Sequence, residues 1–361
     1  MLKEEITVSN LKVKKPSKID ELKAMSPKDR NRAIGDLLMN NAMFIIIAIA
    51  VVVITCIKPK FLSLPSIINI INLTAAKLPI ALGVGGCIIL AGTDISAGRQ
   101  VGLAAAIAAG LQLTVNKLFP GLAVMPIWVA LLAVIVVGAC VGFVNGFFMA
   151  KFKLHPFIVT LSTQLIVYGL LLIFLGLGTN NGQTLSGMSK DYLEFVAGKL
   201  FVIDNTVVPR YVLYSAIIAV IVWIIWNKTT FGKNMYAVGS NEEAANVSGV
   251  NVTKTIIMVF MMAGVLYAIT GFMDAARIQS VNATTGLNYE ADAIAACVIG
   301  GISFVGGIGK VSGAIIGVLL LQVIFVGLNF LSVDPNLLYI VKGLIILIAC
   351  SIDMRKYLVR K

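Results

Sequence analysis

The chain has 361 residues, of which 58% are hydrophobic and only 13% are charged, and its mean hydropathy is +0.95. Because an ordinary soluble domain carries roughly 25% charged residues, this composition excludes a soluble enzyme and indicates an integral membrane protein. The formal net charge of +12 lies mainly at the chain ends and in short connections between apolar runs. That distribution is typical of a membrane topology signal, so no nucleic acid partner is expected.

Both ends of the chain are predicted to be cytoplasmic tails. Residues 1–40 are polar and basic, too long for the n-region of a cleaved signal peptide, and no small-residue cleavage site follows them. Residues 354–361 are also basic. Lys and Arg accumulate on the cytoplasmic side of membrane proteins, and an even number of crossings returns the chain to its starting side.

Ten apolar runs between the tails are candidate transmembrane helices, since a span needs about 20 apolar residues. They occupy residues 42–57, 78–90, 101–115, 127–150, 156–176, 208–226, 255–276, 291–304, 312–331 and 337–352. The second and eighth runs are too short to cross alone, so they either extend into flanking polar residues or are discontinuous helices. No run shows the alternation of a barrel. The sequence therefore predicts an all-α, polytopic helical bundle over residues 41–353.

Two polar loops are long enough to have a function. Residues 179–206 are predicted to lie outside, either as a solvated connector or as a docking surface for an extracytoplasmic partner. Residues 228–254 are predicted to lie inside and contain GSNEEAANVSGV, where Ser240 and Glu243 form a capping box that would start a short helix at Asn241. This helix either fits a groove on a cytoplasmic protein or packs on the membrane surface.

A glycine spacing occurs twice in the chain. Both copies follow the pattern G-G-x5-G-x5-G-x3-G, and they comprise Gly85, Gly86, Gly92, Gly98 and Gly102, and then Gly300, Gly301, Gly307, Gly313 and Gly317. Glycine is common in membrane helices, so the match alone is compatible with chance. The alternative is an internal repeat whose glycine-broken helices meet near the bilayer midplane, where transport paths usually lie.

Charged residues accompany both glycine patterns. Asp94 and Arg99 lie in the first, and a charge at membrane depth persists only when it is paired or lines a watery cavity, so we expect them either to pair or to face a path. Glu290 and Asp292 precede the second, where carboxylates either stabilise a helix start or act at a gate.

The sequence lacks the motifs that several kinds of enzymatic and metal chemistry require. It contains no G-x4-G-K-[ST] motif for binding ATP phosphates and no HExxH metal motif. Its five cysteines lie within or beside apolar runs without a CxxC pair, as buried small hydrophobes do. We therefore expect no cofactor and no metal site in this chain, and no enzymatic activity of its own.

Three runs together resemble the permease subunits of bacterial ABC importers for monosaccharides, which include the ribose, arabinose and galactose/methyl-galactoside systems. They are GTDISAGRQVGLAAAIAA, WNKTTFGKNMYAVGSNEEAANVSGVNV and YEADAIAACVIGGISFVGGIGKVSGAIIGV. The resemblance extends from about Ala42 to the carboxyl end. The segment SAGRQVGLAA is most similar to the galactose/methyl-galactoside branch. Ribose or another pentose or hexose remains the alternative substrate.

The resemblance implies a homodimer in the bacterial inner membrane that works with a cytoplasmic ATPase and an extracytoplasmic sugar-binding protein. ATP and Mg²⁺ would then be used by the partner ATPase, and a monosaccharide would cross among lipid-embedded helices. The residues implied in ATPase coupling are Phe231, Gly232, Asn241, Glu242, Glu243, Ala244, Ala245 and Gly249. Those implied near the translocation path are Asp94, Ser96, Arg99 and Gln100, to which we add Glu290 and Asp292.

Two features depart from the family, and two functional classes compete with it. The amino tail is longer and more basic than expected, and Ala291 stands where relatives usually have leucine. A secondary carrier would share broken helices but would need no ATPase, and the scarcity of carboxylates within the spans disfavours a proton-coupled one. A membrane-embedded enzyme would need convergent titratable groups, which the sequence does not indicate.

Overall fold

The computed structural model describes residues 42–358 except Pro120 and Thr179. The chain divides into two units, residues 1–46 and 47–361, and the architecture below is that of the second. The predicted amino tail, residues 1–40, and the last residues of the predicted carboxyl tail lie outside the described residues.

The described part of the chain is built almost entirely of α-helices. They are α1 (Ala42–Ile57), α2 (Leu64–Ile89), α3 (Ala97–Gln112), α4 (Ile127–Phe152), α5 (Pro156–Leu175), α6 (Lys190–Ala197), α7 (Arg210–Lys228), α8 (Thr230–Ser240), α9 (Glu242–Val247), α10 (Val252–Ile278), α11 (Tyr289–Ile299), α12 (Val311–Phe330) and α13 (Pro335–Leu358). Four short strands form two antiparallel pairs, β1 (Leu185–Ser186) with β4 (Ser280–Val281) and β2 (Lys199–Ile203) with β3 (Thr206–Pro209). The predicted all-α membrane bundle is confirmed.

The structure does not confirm the number of ten crossings. Among the described residues, six helices are long and apolar enough to span a membrane, namely α2, α4, α5, α7, α10 and α12. The second run extends back to Leu64 and becomes the 26-residue α2. The eighth run becomes α11, whose 11 residues reach about 16 Å at 1.5 Å per residue, well short of the roughly 30 Å hydrocarbon core. It is therefore a half-length helix buried among the others.

Helix α10 is the centre of the bundle and packs against α2, α3 and α4. Its approach to α4 is close because Gly264 faces Gly138, and a methyl group on either residue would overlap the backbone of the other. Small residues at helix crossings let two backbones meet in this way, and van der Waals packing then holds the membrane helices together. The opposite faces of α4 and α5 expose large apolar side chains such as Leu132 and Leu165.

The two glycine patterns correspond to two helix–break–helix units. The first joins α2 to α3 through residues 90–96, and the second joins α11 to α12 through residues 300–310. In the second break Gly301 and Gly307 adopt positive φ angles of 82° and 67°, which glycine allows at no steric cost. The units pack differently, because Gly313 contacts Gly300 within its own unit, whereas Gly98 contacts Gly286 and Glu290 outside it.

Replacing Gly138 by leucine should destabilise the bundle, because overpacking at a backbone contact costs about 1–3 kcal/mol. Gly169 on α5 offers a matched control, since nothing lies within 4 Å of where its Cβ would be. Thermal unfolding in detergent, followed by size-exclusion chromatography, should show a lower midpoint for Gly138→Leu than for Gly169→Leu. Equal midpoints would contradict the α4–α10 packing.

Candidate functional site

A pair of capped helices, α8 and α9, projects between α7 and α10. The Thr229 hydroxyl accepts a hydrogen bond from the Gly232 amide at 3.1 Å and starts α8. The Asn241 side chain accepts one from the Ala244 amide at 2.8 Å and starts α9. The predicted capping box of Ser240 and Glu243 is therefore wrong, because Ser240 ends α8 and the neighbouring Asn241, an equally good cap, takes its place.

The predicted coupling residues divide into an exposed group and a packed group. Asn241, Glu242, Glu243, Ala244 and Gly249 are exposed. Ala245 is buried and fixes α9 to its neighbours, whereas Val247 is 89% exposed. In α8, Gly232 is buried against the carbonyls of α7, so it lets α8 pack closely on the end of α7. The free surface is thus the acidic first turn of α9 together with Val247.

Helix α8 contacts both glycine breaks at one point. The amide of Gly307 donates to the carbonyl of Ile89 at 2.7 Å, and a methyl group at Gly239 would overlap that same carbonyl. The hydroxyl of Tyr236 donates to the carbonyl of Gly309 at 3.0 Å. Burial raises the pKa of Tyr236, so this hydroxyl keeps its proton. A displacement of α8 therefore acts directly on both breaks.

A cavity of about 700 Å³ opens beside α9. Its walls come from the first break, from the connection between α4 and α5, from the α8–α9 junction and from α10; they include Gly92, Lys153, His155, Ser240, Glu243 and Phe260. The cavity places the first break close to the end of the bundle that carries α9.

A fully buried polar network surrounds Asp94 in the first break. The Asp94 carboxylate accepts from the Ser96 amide at 3.0 Å and from the Ser96 hydroxyl at 2.5 Å. The Ser96 oxygen in turn accepts from Gln100 at 2.9 Å and from Asn145 at 3.1 Å, and the Asn145 carbonyl accepts from Thr163 at 2.6 Å. Each donor in this chain points toward the carboxylate, so the network ties α3, α4 and α5 to the break.

Asp94 and Arg99 do not pair, so the first of the two alternatives from the sequence is wrong. The Arg99 guanidinium donates to the carbonyl of Ala283 at 3.1 Å and lies over the ring of Tyr168, with its Cζ atom 4.1 Å from the ring centroid. Asp94 lies in the break, three residues before α3 begins, so helical spacing does not bring its side chain beside that of Arg99. Arg99 instead holds the connection between α10 and α11 against α3 and α5.

Residues 282–288 run back along α3 before α11 begins. A methyl group at Gly98 or at Gly102 would overlap the carbonyl of Gly286 or of Thr285. Glu290, in the first turn of α11, is buried against Gly98. The helix starts after Asn288 without a side-chain cap, so the predicted capping role of Glu290 and Asp292 is limited to their favourable first-turn position.

Asp292 belongs to a second group of charged residues that the sequence analysis largely missed. The Lys342 ammonium of α13 lies 2.8 Å from the Asp292 carboxylate, and the Arg277 Nε atom lies 2.8 Å from the Asp274 carboxylate in α10. Together with Lys77 and Tyr289, whose ring lies against the Lys77 ammonium group, these residues form a cluster of six side chains at the start of α11. Asp274 and Lys342 lie inside predicted apolar runs and Lys77 borders one, and charge at such a position was the available signal.

The predicted path residues do not form one group. Asp94, Ser96 and Gln100 form one network, Arg99 and Asp292 have other partners, and Glu290 packs beside Gly98. No group of three or more His, Cys, Asp or Glu side chains among residues 42–358 is arranged to hold a metal ion, within the part that the structure describes.

Comparison with known proteins identifies the family. Residues 66–350 match the family described as branched-chain amino acid transport system / permease component. The chain belongs to this permease family. The galactose/methyl galactoside import permease protein MglC of Haemophilus influenzae is 43% identical over 340 residues, which cover 93% of this chain and 100% of the relative. The MglC protein of Escherichia coli strain K12 is 42% identical over 328 residues, 90% of this chain and 96% of the relative.

Ribose permeases are more distant from this permease. The ribose import permease protein RbsC of Bacillus subtilis is 34% identical over 317 residues, which cover 87% of this chain and 92% of the relative. A search of solved structures returned no significant match. The predicted family and the preference for its galactose branch are confirmed.

Asp94→Ala should destabilise the permease, because a buried donor left without its acceptor costs about 1–3 kcal/mol. Asp94→Asn should cost less, since its carbonyl oxygen can still accept from Ser96. Asp191→Ala, which removes an exposed carboxylate in the first turn of α6, serves as the control. Thermal unfolding midpoints in detergent should follow the order Asp191→Ala, Asp94→Asn, Asp94→Ala. An Asp94→Ala protein as stable as the control would show that the network is dispensable.

Proposed function

We propose that this permease is the membrane subunit of an ATP-driven importer that moves galactose or a methyl galactoside into the cytoplasm. The observation that carries the proposal is the 43% identity to the H. influenzae MglC protein across 100% of that relative. Ribose is the alternative substrate, and the lower identity of the ribose permeases disfavours it. The chain sits in the inner membrane, with both termini in the cytoplasm.

A separate ATPase supplies the energy and binds the permease at α9. The absence of an ATP-binding motif from the sequence supports this division of labour. So does the shape of α9, a short capped helix with two exposed glutamates in its first turn and an exposed apolar residue, Val247, in its last. A helix of this kind fits a groove whose floor is apolar and whose rim is basic. ATP and Mg²⁺ belong to that partner.

Motion at α9 reaches the membrane-embedded helices through α8. Gly239 and Tyr236 touch the two breaks directly, so closure of the ATPase pair would displace both breaks together. This arrangement suits alternating access, in which a helix bundle rocks around interrupted helices. A secondary carrier has no use for such an exposed connection.

The opposite end of the permease receives the sugar from a binding protein. Residues 180–209 form α6 and the β2–β3 hairpin. The hydroxyl of Tyr192 on α6 donates to the carbonyl of Phe272 on α10 at 2.5 Å, which fixes this surface to the central helix. Because this surface is fixed to α10, we favour a docking surface for the binding protein over a solvated connector. Two copies of the permease form the pathway between them.

Reconstitution tests the proposal. Proteoliposomes that contain the permease, an ATPase subunit and a galactose-binding protein should take up radiolabelled galactose only when ATP is present. Liposomes that contain the permease alone with an ion gradient serve as the control and should show no uptake. Uptake without the ATPase would establish a secondary carrier, and uptake of ribose in preference to galactose would replace the substrate.

Glu243→Arg should weaken ATPase binding, because it reverses a charge on the exposed first turn of α9. Asp191→Arg is the matched control, since Asp191 is also an exposed acidic residue in the first turn of a short helix, at the other end of the bundle. We expect about a tenfold loss of ATPase affinity for Glu243→Arg, equivalent to 1.4 kcal/mol, and none for Asp191→Arg. Co-purification and microscale thermophoresis measure both. Equal affinities would remove α9 from the interface.

A further inference from the structure

The exposed faces of the spanning helices differ in their chemistry. In the middle of α4 and α7 the large exposed side chains are apolar, such as Leu132 and Val136 on α4 and Ile217 on α7. Such faces suit lipid tails, which are as apolar as leucine. Helix α5 is different, because the edge of its exposed face that adjoins α3 carries polar groups.

This edge contains Gln164 and Tyr168 of α5 and Arg99 of α3, and we call it the α5 polar edge. Gln164 and Tyr168 are the 9th and 13th of the 20 residues of α5. They therefore lie one helical turn apart, near the middle of a helix that is long and apolar enough to span a membrane. The Arg99 guanidinium lies over the Tyr168 ring. All three side chains are partly exposed, so each presents some of its surface outside the chain.

Two polar residues of α5 that are close in sequence meet different surroundings. Ser162 is exposed, and its hydroxyl donates to the carbonyl of Ile158 at 2.9 Å, so it carries no unpaired donor into lipid. Gln164 lies two residues further, about 200° around a helix of 3.6 residues per turn.

The Gln164 amide is not satisfied within its own copy of the chain. Among the described residues, the side-chain hydrogen bonds made by α5 from Thr160 onward are those of Thr160, Ser162 and Thr163. Gln164 makes none, although an amide offers two donors and an acceptor. Its partners must therefore come from outside this copy, as water or as solute.

The energetics place water rather than lipid at the α5 polar edge. A charged side chain at the centre of a membrane helix costs about 2.5–3.5 kcal/mol on insertion scales, and such residues usually face a water-filled cavity. Packing accounts for only part of Arg99, because its bond to the carbonyl of Ala283 uses one of the five N–H groups of the guanidinium. In a twofold dimer the same surface of each copy faces the other, so a watery path between two copies would be lined by both edges.

The chemistry of the α5 polar edge matches a sugar. Each hydroxyl of a sugar both donates and accepts hydrogen bonds; the Gln164 amide and the Tyr168 hydroxyl can do both, and the Arg99 guanidinium donates. The Tyr168 ring also supplies an apolar face for the C–H side of a sugar ring. Three groups per copy make few contacts, which suits a path, because a solute that is bound too tightly cannot leave.

We propose that the α5 polar edges of two copies face each other and form the site at which the permease contacts its sugar during transfer. This inference rests on the proposed function and specifies which surface of the permease performs it. Of the residues expected near the path, the site includes Arg99, and it adds Gln164 and Tyr168. The Asp94 network has no part in it, because that network is buried and its donors are directed at its own carboxylate.

Replacing Gln164 by leucine separates sugar contact from a structural role. The change removes the amide at nearly constant volume, so the unfolding midpoint in detergent should not fall. Galactose uptake by proteoliposomes with the ATPase and the binding protein should fall about tenfold, because a site that loses a hydrogen-bonding group loses rate. Gln164→Asn, which keeps an amide, should lose less. Ser162→Leu, on the lipid side of the same helix, is the matched control with uptake unchanged, and equal uptake by Gln164→Leu and Ser162→Leu would overturn the inference.

Cysteine labelling provides a readout that does not depend on transport by the leucine variant. In a background without the native cysteines, Gln164→Cys should react with a water-soluble methanethiosulfonate during ATP turnover, and methyl galactoside should slow that reaction severalfold. Ser162→Cys should react only at the background rate. A Gln164→Cys protein that reacts no faster than Ser162→Cys, or at a rate that the sugar does not change, would contradict the assignment.

Uptake by the wild-type complex distinguishes failure of this site from failure of the proposed function. Absence of ATP-dependent galactose uptake by wild type would overturn the proposed function and, with it, the site. Normal wild-type uptake, together with Gln164 variants that transport and label like the Ser162 variants, would overturn the α5 polar edge alone.

Discussion

One hydrogen bond holds the two interruptions of the bundle together. The amide of Gly307 donates to the carbonyl of Ile89, so the end of α2 and the break before α12 each satisfy a backbone group of the other. Ile89 is fully buried, and a buried carbonyl left without a donor would cost about 1–3 kcal/mol. The close packing of Gly239 at the same carbonyl depends on this bond, and so does the path from α9 to the spanning helices.

The sequence was a good guide wherever composition or backbone conformation decides the outcome. Apolar runs predicted the bundle, and the repeated glycine spacing coincides with both breaks. In the second break Gly301 and Gly307 adopt the positive φ angles that glycine tolerates, whereas in the first break the residue with a positive φ angle is Ala91. The short helix after residue 240 was predicted correctly in place and was wrong only in its cap. Asn241 and Ser240 are both good caps, and their order in space is set by where α8 ends.

Side-chain partners could not be predicted in the same way. Asp94 and Arg99 are near in sequence, but the partners of Arg99 are Ala283 and Tyr168, which only the folded chain brings together. Lys77 and Lys342 are distant in sequence, and the local pattern gives neither of them a partner. Only the folded chain places Tyr289 and Asp292, at the start of α11, beside them. Contacts between residues that are far apart in the sequence cannot be predicted from a local sequence pattern.

The glycine at position 239 has a consequence for how the molecule deforms. With no space for even one methyl group between it and Ile89, the end of α8 cannot move toward Ile89 without displacing the end of α2. Flexing must then occur at the joints that flank this rigid block. The chain has two such joints, at Thr229 between α7 and α8 and at residues 248–251 between α9 and α10. Helices α8 and α9 would therefore move together as one rigid unit between these two hinges.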